Sequence, residues 1–212
     1  MDILSPQLTD FLTNLVPPRT PELQKMEAYA EERDFPIIGP ICGHLCYQIA
    51  RTSGATRIFE LGSGFGYSTA WFAQAVKENS GGEVHHVVWD EELSNKAHVH
   101  LKHLGYEGLI KYTVGEAIQT LNAAKGPFDL IFMDIDKQDY VKALPVINDK
   151  LKINGILIVD NILWSGRIFD DKDQSPATKA IRELTGMLTN NDRWLTSIVP
   201  IRDGLLIATK LN

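Results

Sequence analysis

Two short stretches hold the residues best suited to chemistry, Asp134-Ile135-Asp136-Lys137 and Asp160-Asn161. Each follows directly on an apolar run, Phe128 to Met133 in the first case and Gly155 to Val159 in the second. Side chains at the carboxyl ends of adjacent parallel strands converge on one crevice. Asp134, Asp160 and Asn161 would then offer hard oxygen ligands with no sulfur or imidazole among them. That set suits Mg2+, with Mn2+ and Ca2+ as alternatives. It also leaves coordination positions open for water or a substrate oxygen, as metal-assisted chemistry requires. Lys137 lies a short way along the loop from Asp134. A lysine beside a dication is held less firmly as ammonium, so it can serve as a base toward a nearby hydroxyl. Asp136 reads as a loop or capping residue.

A second constellation lies upstream. Glu60-Leu61-Gly62-Ser63-Gly64-Phe65-Gly66 follows a short apolar strand and opens a helix. Glycines there let the backbone turn sharply and approach a ligand closely. Tyr67 stands where the dinucleotide fingerprint needs its third glycine, which disfavours a nicotinamide or flavin dinucleotide. Asp90 ends the second strand, where an acidic side chain can accept from both hydroxyls of a ribose. A carboxylate at Glu60 repels phosphate but suits the amino and sulfonium charges of S-adenosylmethionine, and that is the cofactor expected.

The elements that must position these residues alternate. Helices are expected over Pro21 to Arg33 and Gly39 to Ala50, the second more buried. Strands then follow at Arg57 to Leu61, Val84 to Trp89, Leu109 to Val114, Phe128 to Met133 and Gly155 to Val159. Between them come helices at Tyr67 to Glu78, Leu93 to Leu104, Ile118 to Ala123 and Tyr140 to Leu151. Strands apolar on both faces and separated by helices imply a parallel sheet between two helix layers. The ending departs from the pattern: a helix over Pro176 to Leu188, then Trp194 to Pro200, Arg202-Asp203-Gly204 and Leu205 to Thr209. Asp-Gly between apolar runs signals a hairpin. The fold class expected is α/β, one doubly wound Rossmann-like domain spanning 1–212, with a mostly parallel sheet and a C-terminal antiparallel hairpin. Within it, 1–52 supplies N-terminal helices covering the site and 55–212 the core.

Composition sets bounds. The chain has 212 residues, 44% hydrophobic and 23% charged, which excludes disordered and fibrous classes. No apolar run approaches the ~20 residues that span a bilayer. Met1-Asp2-Ile3-Leu4-Ser5-Pro6 lacks a basic region before a greasy stretch, so no secretory signal and a cytoplasmic location are expected. Cys42 and Cys46 read as small hydrophobes on one buried helix face. His98, His100 and His103 read as solvent-facing or capping, and His85 and His86 as sheet residues. No G-x-S-x-G elbow is present, so hydrolase chemistry lacks its nucleophile. Trp164, directly after the second acidic cluster, is either packing or an aromatic wall for a planar substrate. A formal charge of −6 argues against a broad nucleic-acid surface.

Taken together, Phe59-Glu60-Leu61-Gly62 with Gly66-Tyr67-Ser68, Phe132-Met133-Asp134-Ile135-Asp136-Lys137-Gln138-Asp139-Tyr140, Asp160-Asn161-Ile162-Leu163-Trp164-Ser165-Gly166 and the terminal Asp203-Gly204 occur in a telling order. In these motifs the chain resembles the cation-dependent O-methyltransferases, the catechol and caffeoyl-CoA type, from about the Pro21 helix to the C-terminus. The resemblance implies Asp134, Asp160 and Asn161 as metal ligands and Lys137 as catalytic base. It implies Glu60, Gly62, Ser68, Asp90 and Asp134 at the cofactor, Gly115-Glu116 with Ala117 at the adenine, and Ile38 as a cofactor-lining residue. A homodimer is implied on the same ground. Pro17-Pro18-Arg19 and the compact Gly166 to Ser175 loop look like small bacterial members. Trp89 departs from the pattern, being bulky where a small aliphatic is usual, and bears on packing beside the ribose.

The activity expected is metal-assisted methylation of a hydroxyl on a catechol-like small molecule. A rival is O-methylation of a hydroxylated wobble uridine in tRNA, with Arg19, Arg33, Arg51 and Arg167 meeting phosphates. Another class altogether is a non-catalytic S-adenosylmethionine-binding protein, against which both acidic clusters and Lys137 argue.

Overall fold

A computed structural model describes residues 5–212; the Met1 to Leu4 start used in the leader expectation lies outside them. Helix α1 (Pro6–Leu15) opens the described chain, with Ser5 capping Leu8 N and Pro6 in its first turn. It buries no side chain and leaves Leu8, Phe11 and Leu15 exposed, so no core-facing stripe announced it. Helix α2 (Pro21–Glu32) starts under a Thr20 cap and buries Leu23, Met26 and Ala30, three and four residues apart as one helical face demands. Helix α3 (Gly39–Thr52) buries Cys42, Gly43, Cys46 and Ala50. Both cysteines are free and enclosed, as small hydrophobes. Gly43 has no side chain because the Trp71 indole occupies that space, where a Cβ would lie 2.3 Å from Nε1.

The alternating part is β1 (Arg57–Leu61), α4 (Tyr67–Glu78), β2 (Glu83–Val88), α5 (Glu91–His103), β3 (Ile110–Val114), α6 (Ala117–Ala123), β4 (Phe128–Met133), α7 (Tyr140–Lys150) and β5 (Leu151–Val159). It ends with α8 (Pro176–Thr189), β6 (Trp194–Val199) and β7 (Leu205–Lys210). The seven strands form one sheet in the order β3-β2-β1-β4-β5-β7-β6. The first five pair in parallel, and β7 runs antiparallel to both β5 and β6.

Strand alternation explains why both faces need helices. Ile58, Leu130, Phe132 and Ile158 point into one core with α2, α3, α4 and α5. Their neighbours Phe59, Ile131, Met133, Leu157 and Val159 point into the other with α6, α7 and α8. Fully burying one such side chain is worth ~1.5–3 kcal/mol, so the apolar runs carry much of the sheet's stability.

Most boundaries fall within two residues of expectation, and the larger differences lie before β5 and in the terminal hairpin. The helix before β5 stops at Lys150 and the strand begins at once at Leu151, ahead of the expected Gly155. Phe128 pairs with Leu151 but Leu130 with Ile156, so a bulge holds Lys152 to Gly155. Asn154 within it adopts φ +62. Polar residues in a bulge break the apolar run and disguise the strand. The terminal hairpin is real, but residues 200–204 connect it by a longer loop than a two-residue turn. No helix among the described residues is long and apolar enough to cross a membrane.

Candidate active site

Backbone hydrogen bonds tie the carboxyl ends of the central strands together. Asp134 N donates to Leu61 O at 2.9 Å, Asp160 N to Met133 O at 3.1 Å, and Ser63 N to Val87 O at 3.0 Å. The turns after β1, β2, β4 and β5 therefore share one edge of the sheet. Gly62 adopts φ +87, and a Cβ there would lie 2.3 Å from the Asp134 carbonyl oxygen. Only glycine can both turn left-handed and let the loop press against the acidic strand end. The glycine loop and the Asp134 cluster are thus one structure.

Beneath the loop, Glu60 is wholly buried. Its Oε1 accepts from Ser68 Oγ and its Oε2 from Thr69 Oγ1, each at 2.5 Å. Burial pushes the carboxyl up to about 7 despite these donors, with Asp134 adding to the rise. Thr69 Oγ1 also meets His86 Nδ1 at 3.0 Å, in an equally buried position. Both oxygens of Glu60 thus accept from hydroxyls of α4.

Asp90 is exposed and caps α5, with Oδ1 accepting from Leu93 N at 2.9 Å. Trp89 beside it is 82% exposed and lies beyond the end of β2, so the bulky residue displaces nothing in the core. Gly115 N donates to Val88 O at 3.0 Å, which sets the turn after β3 alongside Asp90. Glu116 caps α6 through both carboxylate oxygens, to Ile118 N and Gln119 N, with Ala117 as the first helical residue. Ile38 sits at the head of α3 with 3% exposure, packed into the first core.

At the other cluster, Lys137 Nζ lies 2.7 Å from Asp134 Oδ1 and 3.3 Å from Ile135 O. Asp160 is 1% exposed. Its Oδ2 accepts from Arg202 Nη1 at 3.0 Å, while its Oδ1 is buried with no hydrogen-bond partner among the described residues. Burial first and the nearby Asp134 charge second push Asp160 up to about 6, and the Arg202 guanidinium pulls the other way. Tyr140, fully buried, donates from its hydroxyl to the Asp160 carbonyl at 2.9 Å.

Asn161 adopts φ +58, a left-handed conformation that asparagine tolerates better than most side chains. Its Nδ2 donates to Asp203 Oδ2 at 3.2 Å, which fixes the amide so that its oxygen faces away from Asp203. Asp203 Oδ1 also accepts from Ser165 N, and its carbonyl accepts from Leu163 N at 2.9 Å. Arg202 and Asp203 were legible only as a hairpin turn or a motif ending, with no role assigned. No group of three or more acidic, histidine or cysteine side chains among the described residues forms a ready-made metal cage. Asp134 and Asp160 are two carboxylates, and Asn161 adds an amide oxygen. An orphaned buried carboxylate oxygen in an all-oxygen set fits a hard divalent cation.

Trp164 packs against the second core, its indole N–H buried with no hydrogen-bond partner among the described residues, and the Arg167 guanidinium lies 5.5 Å from the ring. Of the histidines expected to face solvent or cap, His103 is exposed and His100 half-buried, and both reach Glu22 of α2, at 3.3 and 2.7 Å. Burial opposes ionisation of Glu22, but bonds from His100, Lys25 and His103 hold its carboxyl down at about 2. His98 stacks on Tyr112 with ring centroids 3.4 Å apart. The arginines considered for phosphate each face a carboxylate already: Arg19 with Glu27, Arg33 with Glu32, Arg51 with Glu78 and Arg167 with Asp173.

Residues 22–211 match a protein-family model described as O-methyltransferase. The chain belongs to the O-methyltransferase family. As a member it is an S-adenosylmethionine-dependent O-methyltransferase. Among similar proteins is a catechol O-methyltransferase of Niastella koreensis, 27% identical over 180 residues, covering 81% of this chain and 80% of that one. A caffeoyl-CoA O-methyltransferase of Stellaria longipes is 24% identical over 222 residues, covering 98% of this chain and 91% of that one. In fold, the chain is similar to the O-methyltransferase TomG of Streptomyces achromogenes, solved in complex with SAM. The TM-score is 0.86 at 23% identity, over 97% of this chain and 96% of that one.

Proposed function

We propose that this enzyme methylates a hydroxyl oxygen of a catechol-like small molecule with the help of a divalent cation. One observation carries the reading: a lysine amine 2.7 Å from Asp134, on the same strand-end edge as the buried and partly unpartnered Asp160 carboxylate. Asp134, Asp160 and Asn161 would hold the cation. Bound there, it supplies Lewis acidity to the acceptor hydroxyl, while the cofactor supplies the methyl group. Lys137 takes the hydroxyl proton at Nζ, and Asp134 keeps that amine in place and stabilises the ammonium that results. Gly62 gives the loop backbone access to the cofactor, and Ser68, backed by Glu60, offers a hydroxyl there. Asp90 takes the ribose, with Gly115, Ala117 and Ile38 near the adenine. Trp164 walls the acceptor side. Two vicinal hydroxyls would grip a single cation best, which favours catechols.

The pairing of Arg19, Arg33, Arg51 and Arg167 with carboxylates favours a small acceptor over tRNA. A homodimer belongs to the same reading, supported by Leu8, Phe11 and Leu15, exposed at helical spacing on α1. The test is methyl transfer with added Mg2+ on a panel of catechols and on bulk tRNA. Transfer to catechols is expected. Transfer to tRNA alone would replace this acceptor assignment with the nucleic-acid one.

The ribose role of Asp90 can be separated from its capping role. Asp90→Ala removes both, so cofactor affinity should fall by ~1–3 kcal/mol, the range for hydrogen bonds to a charged group. Helix α5 should lose ~0.5–2 kcal/mol as well. Asp90→Asn keeps a good cap yet offers only one accepting oxygen, so it should lose cofactor affinity without losing stability. Calorimetry and thermal melts on both variants check this. Unchanged affinity in Asp90→Asn would remove Asp90 from the cofactor.

A further inference from the structure

Arg202 sits in the β6–β7 connection with φ +50. Left-handed backbone is costly for a long side chain and easy for glycine, so an arginine held there points to a use for the guanidinium. Its partner is Asp160, through Nη1 to Oδ2 at 3.0 Å. The Asp160 main chain is already fixed, its amide on Met133 O and its carbonyl on Tyr140 Oη. What remains free is rotation of the carboxyl group, and among the described residues the one side chain that hydrogen-bonds it is Arg202. The pair divides the carboxylate: Oδ2 is occupied and Oδ1 is buried and unpartnered. An oxygen left so is costly unless something absent from the chain itself completes it.

We propose that Arg202 is a positioning residue: it pins Oδ2 of Asp160 so that the carboxylate offers Oδ1 alone to a divalent cation. The inference rests on the metal-assisted reading above and adds to it a residue outside the ligand set. Ligating carboxylates are oriented by their own hydrogen-bond partners, and loss of such a partner typically weakens metal affinity ~10–100-fold. A guanidinium suits the task because it stays charged and its planar fork fixes the carboxylate's orientation. It bonds only the oxygen that the cation does not need, so it supports the ligand without occupying its place.

The test uses the full chain and Mn2+ alone, with bound and free ion measured by electron paramagnetic resonance. Arg202→Gly suits the left-handed backbone, and Arg202→Gln keeps most of the stem and drops the charge. Each should bind Mn2+ ~10–100-fold more weakly than the parent. Arg202→Lys, which keeps a cation in reach, should fall between. Thermal melts accompany each titration; if one neutral variant is unfolded at the assay temperature, the other carries the comparison. Equal or tighter Mn2+ binding in a folded neutral variant overturns the proposal and makes Arg202 a competitor for Asp160. A parent chain that binds no Mn2+ at any accessible concentration instead removes the metal reading itself. That outcome is distinct from one in which parent and variants bind alike.

Discussion

Addition of EDTA is expected to abolish methyl transfer, and Mg2+ or Mn2+ to restore it. The expectation rests on the donor set, because carboxylate and amide oxygens suit hard, exchangeable dications and hold them without thiolate or imidazole. It also rests on the Asp160 carboxylate, one oxygen of which is buried with no partner among the described residues. Asp160→Ala should raise the metal concentration needed for half-maximal rate and leave cofactor affinity largely intact. The same holds for Asn161, but the choice of substitution matters. At φ +58 alanine would add backbone strain to the loss of the amide, whereas Asn161→Gly removes the ligand and suits the backbone. Rates against metal concentration, with calorimetry for the cofactor, decide the matter. Full activity in excess chelator would exclude metal assistance.

The sequence made the strand ends legible because their cause is local. Phe128 to Met133 and the core of β5 are apolar on both faces, and an acidic residue at the end of such a run marks a strand leaving the core. The glycine loop was legible because its φ values and its contact with Asp134 admit no side chain at Gly62. The contacts that organise the acidic cluster are of another kind. Arg202 reaches Asp160, and Asp203 reaches Asn161, across 42 residues of chain, through an antiparallel strand whose insertion next to β5 is a property of topology. Asp203-Gly204 has the composition of a turn, and nothing in its spacing says that the turn folds over β5. Glu60 shows the same limit. Its position at the strand end was legible, but its closure by Ser68 and Thr69 depends on how α4 leaves the loop. The contacts of His100 and His103 with Glu22 were not legible because the helical pattern of α5 is silent about α2.

Replacing Lys137 by alanine is expected to lower kcat at saturating metal by ~10²–10⁴, the usual yield of positioned acid–base catalysis, with cofactor affinity little changed. The amine has one principal partner, Asp134 at 2.7 Å, and is largely shielded, with 12% side-chain exposure. Shielding keeps bulk water from substituting easily as the proton acceptor. The defect should shrink as pH rises, since an acceptor already ionised in solution needs no protein base. For the same reason a more acidic acceptor, such as a nitro-substituted catechol, should be less sensitive to the substitution. Lys137→Arg separates the base from a mere positive charge. Guanidinium keeps its proton across the accessible range, so it can pair with Asp134 and stabilise an oxyanion but cannot accept a proton. A general base predicts no rescue by arginine; simple charge stabilisation predicts substantial rescue. The measurement is a pH–rate profile for the parent, Lys137→Ala and Lys137→Arg, on catechol and on its nitro derivative. If arginine recovers most of the rate, proton removal belongs to the cation site, and Lys137 serves only to hold Asp134 and the charged oxygen.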